Sequence, residues 1–363
     1  MVVSIIIPVY NVEAYIADCL SSVMSQDYAQ LEVVIVDDCT PDKSIQIVEQ
    51  MISQYKGGQK HKIIRHKTNL GISAARNTGI KEASGDLIYF LDSDDYICPG
   101  AIRHLVEVYN LTHADIVAGN VQIVDEQADR IVRKPVKLSK DFFYFENLKK
   151  MFSCKEIKPI DLHGVVWNKL ICRHFLEKNQ LYFDEGIIFE DIIWNYKTYC
   201  CEPNIAVSGM VSYIYRTRPS SIMTTFTEYH MYSIIKCADI VIEYTPGIKK
   251  SRDMWYVRDN IELYIYAALY KIIDKVNNKQ AFDKLYTYYR NRHKPKIDFW
   301  INIDVPLSTK IKSLHYLLPA SLGRKYLFIL LKQQKKNMCK LYPNQAALPM
   351  IELSTNFWNC IGV

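Results

Sequence analysis

A short acidic segment follows one of the apolar runs in the first part of the chain. Leu87–Leu91 reads LIYFL and is followed by Asp92, Ser93, Asp94 and Asp95. Two carboxylates separated by one residue at a strand end can reach the same cation, directly or through water. Oxygen ligands of this kind suit Mg²⁺ or Mn²⁺, which keep open positions for phosphate oxygens. The same triplet on its own also fits a turn whose aspartates cap a helix.

Polar residues also follow two other apolar runs. Asp37 and Asp38 come directly after Leu31–Val36, and Asn69 and Gly71 lie in the loop after the third run. A carboxylate at such a position can accept hydrogen bonds from the imide N–H of a base or from a ribose hydroxyl. A polar loop that caps the next helix is the alternative for the two aspartates.

Four charged residues elsewhere have the right chemistry to join such a site. Arg76 is suited to pair with phosphate or to hold aspartate side chains in place, although a surface arginine fits its position equally. Glu190 and Asp191 stand at a predicted helix start, where a carboxylate can accept the proton of an acceptor hydroxyl. Helix-terminal acids without a catalytic role are the alternative. Arg216 is placed to clamp a diphosphate if the loop 216–221 closes, and a plain basic loop is the alternative.

The elements that must position these residues alternate regularly. Strands are predicted at Val2–Val9, Leu31–Val36, Ile63–His66 and Leu87–Leu91. Val2–Val9 is a nearly unbroken apolar run with β-branched residues, which is typical of a buried parallel strand. Helical patterns separate the predicted strands, with Asn11 as a predicted cap for the first helix. This alternation predicts a parallel sheet with helices on both faces. Ligands bind beyond the carboxyl ends of such strands, so the polar residues above should converge on one edge.

The pattern changes after Ala114. Ile116–Val124 and Ile131–Val136 are predicted to form a strand pair, so the sheet becomes mixed. Val165–Asn179 is predicted as a helix, and Ala206–Tyr215 alternates like an antiparallel strand. The fold class expected is therefore α/β, a Rossmann-like mixed, mainly parallel sheet flanked by helices.

The remainder of the chain is mainly helical. We predict a catalytic domain over residues 1–225, with a nucleotide half at about 1–113 and an acceptor half at about 114–225, and a helical C-terminal region over 226–363. Apolar residues in 307–340 are interspersed with a basic run at Lys332, Lys335, Lys336 and Lys340. Such a pattern fits peripheral contact with an anionic membrane surface. An amphipathic helix packed on the protein with a solvated basic face is the alternative.

The composition of the chain limits the classes of function that the protein can have. The chain has 363 residues, 49% of them hydrophobic, and a formal net charge of +6. We find no nucleic-acid-binding motif and expect no nucleic-acid partner. The ten cysteines have no metal-ligand spacing, and the first residues lack the basic segment of a signal peptide. No window has the ~20 apolar residues of a membrane span. We therefore expect a cytoplasmic protein, in part peripheral on the cytoplasmic face of the membrane.

The motifs together resemble glycosyltransferase family 2, whose members have the GT-A fold. The resemblance covers about Val2 to Met223 and is carried by seven segments in the expected order: SIIIPVYN (4–11), EVVIVDD (32–38), NLGISAARNTGI (69–80), GDLIYFLDSDD (85–95), VWNKLI (166–171), FED (189–191) and YRTRPSSI (215–222). Beyond these segments the chain is similar only to the general helical tail of such enzymes.

The resemblance implies a role for each matched residue. In the nucleotide-sugar site, Pro8 and Tyr10 would line the nucleotide pocket, Asp37 or Asp38 would meet the base, and Asp92 would meet the ribose or the metal. Asp94 would bind the metal, Mn²⁺ or Mg²⁺. Asp191 would be the catalytic base, with Glu190 as the substitute.

The resemblance also implies the reaction. The enzyme would be an inverting glycosyltransferase of the hexosyltransferase class that uses a UDP-sugar donor and a glycan or lipid-linked glycan acceptor. Relatives build capsule, lipopolysaccharide O-antigen or exopolysaccharide. The departure from the family pattern is Cys39-Thr40-Pro41-Asp42 after Asp38, where relatives often have Ser or Gly with Thr.

Two other functions fit parts of the pattern. A sugar-phosphate nucleotidylyltransferase also uses aspartate-held Mg²⁺, but it should have a Gly-rich basic loop after the first strand, where this chain reads PVYNVEAY. A non-catalytic glycan-binding or scaffold protein would be indicated by loss of Asp94 or Asp191, and both residues are present.

Overall fold

The computed structural model describes residues 1–125, 129–146, 150–151, 154–157, 165–217, 228–244, 269, 279–295, 297–301, 303 and 307–341. The chain divides into two compact units, Met1–Pro219 and Ser220–Val363. The predicted boundary between residues 225 and 226 stays a prediction, because residues 218–227 lie outside the described ranges.

The first unit begins with alternating strands and helices, as predicted. In chain order they are β1 (Val3–Val9), α1 (Ile16–Met24), β2 (Leu31–Asp37), α2 (Ser44–Gln54), β3 (Lys60–Arg65), α3 (Ile72–Glu82) and β4 (Leu87–Phe90). The four strands are parallel neighbours in the order β3-β2-β1-β4. Every residue of β1, β2 and β4 is buried, which explains why these strands are continuous apolar runs.

The second part of this unit extends the same sheet with strands of both directions. Its elements are β5 (Tyr96–Ile97), α4 (Ala101–Thr112), β6 (Ile116–Asp125), β7 (Arg130–Arg133), β8 (Phe142–Phe145), β9 (Lys169–Cys172), α5 (Arg173–Lys178), α6 (Glu190–Cys200) and β10 (Ile205–Arg216). The strand order is β3-β2-β1-β4-β9-β6-β10-β5, with β7 beside β6 and β8 beside β10. The predicted mixed α/β fold is confirmed.

The helix predicted over Val165–Asn179 is wrong in its first half. Lys169–Cys172 forms β9, antiparallel to both β4 and β6, and only Arg173–Lys178 is helical. Leu170 and Ile171 are completely buried in the sheet. A short apolar run cannot be assigned to strand or helix by periodicity alone, and the gap between β4 and β6 decides it.

Two local predictions are also corrected. Asn11 does not cap the first helix: it has a φ of 54°, and the helix begins only at Ile16 after Tyr15. The strand predicted over Ala206–Tyr215 is present as β10, but it is parallel to β6 and antiparallel only to β5 and β8.

An aromatic cluster attaches α6 to the end of β4. The ring of Trp194 stacks on that of Phe183 with centroids 5.3 Å apart, and Phe90 meets Phe183 edge-on at 5.4 Å. The Trp194 indole also donates to the carbonyl of Leu181. Because Trp194 is fully buried, this packing sets where the first turn of α6 lies relative to the sheet edge.

The second unit is helical in its described part, as predicted. Its elements are α7 (Glu228–Tyr244), α8 (Lys279–His293), α9 (Ile297–Ile301), α10 (Leu307–Ser313), a 3₁₀ turn (Leu314–Tyr316) and α11 (Ala320–Leu341). The predicted basic run begins at Lys332 in α11, but the side chains of residues 334–340 lie outside those that the structure describes. Among the described residues, no helix combines the length and apolar character needed to cross a bilayer.

Candidate active site

The sheet brings the predicted polar residues to one edge. In the register of β1 and β2, Val9 lies opposite Asp37, and β4 runs parallel to β1 on its other side. The segments that follow these three strands therefore leave the sheet at the same end. Pro8 is buried within β1, whereas Tyr10, just beyond it, is 47% exposed.

Asp38 organises the loop that precedes α3. Its two carboxylate oxygens accept hydrogen bonds from the backbone N–H groups of Leu70 (2.9 Å) and Gly71 (2.8 Å), and one also contacts His66 Nδ1 at 2.7 Å. The Asn69 side chain donates to the Asp38 carbonyl. Gly71 has a φ of 88°, a conformation that glycine adopts without strain. The predicted residues Asn69 and Gly71 thus lie against Asp38.

Asp37 has a different set of contacts. One carboxylate oxygen accepts from the Thr40 backbone N–H at 2.9 Å, and the other lies 3.8 Å from Arg65 Nε. Asp37 and Asp38 are both buried. Asp37 therefore makes fewer hydrogen bonds within the protein than Asp38 does among the contacts described.

Arg76 joins the acidic segment after β4 to the start of α6. Its Nη2 donates to Asp92 Oδ1 at 2.8 Å, and its Nη1 donates to Glu190 Oε1 at 2.6 Å. The guanidinium also lies over the Phe183 ring, 5.3 Å from the centroid. Burial acts to lower the pKa of Arg76, but the charges of Asp92 and Glu190 outweigh it and raise the pKa. The arginine is therefore a buried cation with two carboxylate partners.

Asp191 lies in the first turn of α6, beside this pair. Its side chain accepts from the Ile192 backbone N–H at 2.8 Å, and Phe189 precedes the helix with a φ of 72°. Desolvation raises the pKa of Asp191 well above its ordinary value, the charge of Glu190 raises it further, and Arg76 opposes the shift. A carboxylate with a raised pKa is a stronger base once it has lost its proton.

Two residues that the sequence analysis did not select hold the start of α6. The buried Lys169 ammonium donates to the Val165 carbonyl at 2.7 Å and to Asn195 Oδ1 at 2.5 Å. The Asn195 amide in turn donates to the carbonyls of Val165 and Asp191. The signal for Lys169 was present, because a lysine stands inside the apolar VWNKLI segment.

Asp95, the third aspartate of the segment after β4, has a structural role, because its carboxylate is bonded within the protein. It is buried and accepts from the Tyr213 hydroxyl (2.7 Å) and from the Arg216 backbone N–H (2.8 Å). Burial, then the charges of Asp94 and Asp92, raise the pKa of Asp95 well above its ordinary value. Asp95 therefore ties the end of β10 to the acidic segment.

Arg216 is packed within the first unit. Its guanidinium donates to Asp18 Oδ2 at 2.8 Å and lies over the rings of Tyr96 and Tyr15, at 4.6 and 5.7 Å from their centroids. Its predicted role as a diphosphate clamp stays a prediction. Residues 218–221 of the predicted lid lie outside the described residues.

The charges around these elements fit a divalent cation. Carboxylates outnumber the guanidinium groups of Arg76 and Arg216, and the acids are Asp92, Asp94, Asp95, Glu190 and Asp191. Burial, and after it the charges of neighbouring carboxylates, raise the pKa values of Asp95 and Asp191. No ready-made cage of three or more metal-binding side chains is present in the described part of the chain. Mg²⁺ in phosphate-transfer sites commonly takes only one or two carboxylates.

Residues 4–176 match the family model described as glycosyl transferase family 2. The match covers 173 of the 363 residues, just under half of the chain, and this region is similar to that family. The segments that match include β1 from Ser4 onward, β2 to β4, the acidic segment 92–95 and Lys169, whereas Glu190 and Asp191 lie beyond the matched range.

Named bacterial glycosyltransferases are similar in sequence to the family 2 region and the residues after it. The glycosyltransferase GlyA of Streptococcus pneumoniae is 32% identical over 240 residues, which are 64% of this chain and 33% of GlyA. The uncharacterized glycosyltransferase EpsJ of Bacillus subtilis is 34% identical over 223 residues, 61% of this chain and 62% of EpsJ. The chain thus spans about one third to two thirds of the length of these relatives.

A solved structure has the same fold. Residues 1–349 of Staphylococcus aureus TarS, in complex with UDP-GlcNAc, superpose with a TM-score of 0.69 over 93% of this chain and 92% of that chain, at 20% sequence identity. This similarity shows that the chain has the fold of TarS. At this identity it carries no information about residue roles.

Proposed function

We propose that this protein is an inverting glycosyltransferase that moves a sugar from a UDP-sugar to an acceptor hydroxyl. The observation that carries the proposal is the Arg76 bridge. It holds the acidic segment after β4 next to the Glu190–Asp191 turn, although the two are far apart in sequence. In this arrangement the acidic segment suits a metal ion that meets the leaving diphosphate. The carboxylate of Asp191, beside it, suits proton abstraction.

The donor would bind at the sheet edge, with the nucleotide near Tyr10 and Asp37. Tyr10 offers an exposed ring at the end of β1, and Asp37 makes fewer described hydrogen bonds than Asp38. Asp38, Asn69 and Gly71 would act by shaping the loop against which the nucleotide lies. The TarS complex with UDP-GlcNAc supports a UDP-sugar as donor.

Asp94 and Asp92 are the residues that would hold Mg²⁺ or Mn²⁺, with Ser93 between them. A bound divalent cation would supply charge neutralisation for the UDP leaving group as the sugar–phosphate bond breaks. Arg76 keeps Asp92 in place for this task, because Asp92 Oδ1 accepts its Nη2–H.

Asp191 would act as the base. As the acceptor oxygen bonds to the anomeric carbon, an Asp191 carboxylate oxygen takes the proton of that hydroxyl, while the bond from the anomeric carbon to the UDP oxygen breaks. This single displacement inverts the anomeric centre. The name of TarS, a poly(ribitol-phosphate) β-N-acetylglucosaminyltransferase, states a β product and supports inversion.

The acceptor would be a glycan or a lipid-linked glycan in surface polysaccharide synthesis. TarS and the succinoglycan biosynthesis protein ExoO of Rhizobium meliloti, 30% identical over 243 residues, support this class of acceptor. The corresponding location is the cytoplasm, with peripheral contact at the cytoplasmic face of the membrane.

The proposal is tested by calorimetry with UDP, GDP, CMP and their common sugars, each with and without Mn²⁺. We expect metal-dependent binding of one UDP-sugar, and slow release of UDP from it. In Asp94→Ala, Mn²⁺ should no longer strengthen binding of the UDP-sugar, and turnover should be lost. The matched control is Glu177→Gln, on the surface of α5. Unchanged Mn²⁺-dependent turnover in Asp94→Ala would remove the metal assignment.

Two results would replace the proposal. If no nucleotide binds under any metal condition, the chain is a glycan-binding or scaffold protein that retains the fold. If incubation with a nucleoside triphosphate and a sugar phosphate releases pyrophosphate, the chain is a nucleotidylyltransferase.

A further inference from the structure

One helical segment of the second unit has its apolar and polar sides reversed. In α10 and the 3₁₀ turn, Leu307, Ile311 and Leu314 are spaced i, i+4, i+7 and share one face, and all three are exposed. Lys312 is only 5% exposed, and Ser313 is fully buried. A surface helix ordinarily buries its apolar stripe and exposes its lysines. We call Leu307, Ile311 and Leu314 the outward apolar face.

The reversal is held by specific contacts from the neighbouring helices. Arg290 of α8 donates to the carbonyls of His315, Tyr316 and Leu318. The Tyr326 hydroxyl of α11 donates to the Ile311 carbonyl at 2.8 Å. The inner side of the segment is therefore packed and hydrogen-bonded, and the outward apolar face is presented by a defined scaffold.

Exposed aliphatic residues are concentrated in this part of the chain. Of the 13 exposed Ile and Leu residues among those described, nine lie between positions 297 and 329. Those outside the outward apolar face are Ile297, Ile301, Ile303, Leu317, Leu322 and Ile329. Single exposed apolar residues need no explanation, whereas exposed apolar residues that share one helix face, as Leu307, Ile311 and Leu314 do, form a patch of the kind that marks an interaction surface.

The same part of the chain carries the positive charge. Residues 294–341 contain ten Lys and Arg against two Asp, a net charge of +8, whereas the whole chain carries +6. The other residues are therefore net negative, at −2. Lys310 falls on the same side of α10 as Leu307, Ile311 and Leu314 by its spacing, and Lys325 of α11 is exposed.

We propose that the outward apolar face, with Lys310 and Lys325, lies on the surface of an anionic phospholipid membrane. Apolar side chains enter the headgroup boundary and lysines meet lipid phosphates, which is how interfacial helices bind. A second copy of this chain is a poor occupant, because it would bring a second region of net +8 against the first. The inference names the surface for the peripheral contact in the proposed function, and it rests on that proposal.

The test is co-sedimentation of the full chain with vesicles of phosphatidylcholine alone and of phosphatidylcholine with phosphatidylglycerol. We expect binding to the anionic vesicles only, and weaker binding as salt is raised, because salt screens the lysines. The variant Leu307→Ser/Ile311→Ser/Leu314→Ser should bind at least about tenfold more weakly. The matched control is Leu111→Ser in α4, since Leu111 is 72% exposed and Leu307 is 73% exposed.

A second variant keeps the inference testable if the triple variant does not fold. Lys310→Glu/Lys325→Glu reverses two charges and leaves Leu307, Ile311 and Leu314 in place. It should lose binding to anionic vesicles, whereas Lys178→Glu, on the exposed side of α5, should retain it. Equal binding by Lys310→Glu/Lys325→Glu and Lys178→Glu would overturn the inference. So would a dimer in light scattering that Leu307→Ser/Ile311→Ser/Leu314→Ser converts to a monomer, without vesicle binding by either form.

The failure of this inference is distinct from the failure of the proposed function. Vesicle binding is measured without any sugar donor, and UDP release is measured without vesicles. If the protein releases UDP from the donor but does not bind anionic vesicles, only the proposed membrane-binding surface is wrong.

Discussion

Arg76 and Glu190 are 114 positions apart in the chain, yet Arg76 Nη1 donates to Glu190 Oε1 at 2.6 Å inside the first unit. The same guanidinium holds Asp92, so one buried cation connects α3, the segment after β4 and the start of α6. Arg76 is thus a positioning residue for both acidic segments of the proposed site. By its position in the sequence Arg76 fits a contact with phosphate or with aspartates, and in the structure it contacts the acidic side chains.

Removal of the Arg76 guanidinium should destabilise the folded protein. In Arg76→Met we expect the free energy of unfolding to fall by about 3–5 kcal/mol, because two partly or fully buried carboxylates lose their shared partner. Arg76→Lys should reduce the free energy of unfolding by less, because an ammonium retains the charge. It lacks the planar guanidinium that donates to both carboxylates at once. Urea unfolding measures both variants. Arg103→Lys, whose exposed partner is Asp27, is the control and should change stability by less than about 1 kcal/mol. Wild-type stability in Arg76→Met would contradict the bridging role.

Asp191→Asn should abolish transfer while leaving donor binding intact. The amide keeps the size of the side chain but cannot take the acceptor proton, and general base catalysis typically contributes a factor of about 10²–10⁴ in rate. The measurements are kcat with a working acceptor and calorimetric binding of the UDP-sugar. Normal transfer by Asp191→Asn would remove Asp191 as the base, and loss of donor binding would assign it to the donor site instead.

Glu190→Gln should move the acid limb of the pH profile. Desolvation and the charge of Glu190 both raise the pKa of Asp191, so loss of the Glu190 charge lowers that pKa. Asp191 then stays deprotonated to lower pH, and the acid limb of kcat/KM shifts toward lower pH. The profile is measured against wild type in the same buffers. A shift toward higher pH would show that the Arg76 contact, rather than repulsion by Glu190, governs Asp191.

Lys169→Met and Asn195→Leu should each reduce kcat with little change in the donor KM. Asn195 holds the Asp191 carbonyl, and Lys169 holds Asn195, so both changes release the first turn of α6. We expect the two changes to be non-additive in unfolding free energy, with a coupling of about 0.5–3 kcal/mol. Asn179→Leu is a matched control, because Asn179 makes the same contact to a carbonyl four residues earlier, in α5. Additive effects would deny that Lys169 and Asn195 act together.

Glu32→Gln should affect stability and its pH dependence without changing the chemistry. Burial acts to raise the pKa of Glu32, but hydrogen bonds from Ser4 and Ser84 outweigh it and lower the pKa. A lowered pKa in the folded state means that the stabilisation is complete above the unfolded pKa of about 4.3 and is lost as pH falls. The deficit of Glu32→Gln, about 1–2 kcal/mol at neutral pH, should therefore shrink in acid. Urea midpoints across pH measure it, and exposed Glu49→Gln is the control. If the loss of unfolding free energy in Glu32→Gln does not change with pH, the pKa of Glu32 is not lowered by its hydrogen bonds.

Much of the first unit could be predicted because its signals are local. Buried parallel strands need continuous apolar runs, and the turns that follow them need polar residues, so β1, β2 and β4 and their convergent ends follow from short stretches of sequence. The region around β9 could not be predicted in this way. Its apolar residues fit a helix or a strand equally, and only the open position between β4 and β6 makes it a strand.

The sequence by itself determined the fold class, the order of the first strands and helices, and the residue types of the proposed site, because each depends on patterns within a few neighbouring residues. The tertiary structure alone decided that Arg76 serves Asp92 and Glu190, that Asp38 supports a loop, and that Lys169 and Asn195 hold the start of α6. It also decided that α10 buries Lys312 and exposes Leu307 and Ile311. These relationships join residues from separate elements, and packing and desolvation, which act between such elements, leave no periodic signal along the chain.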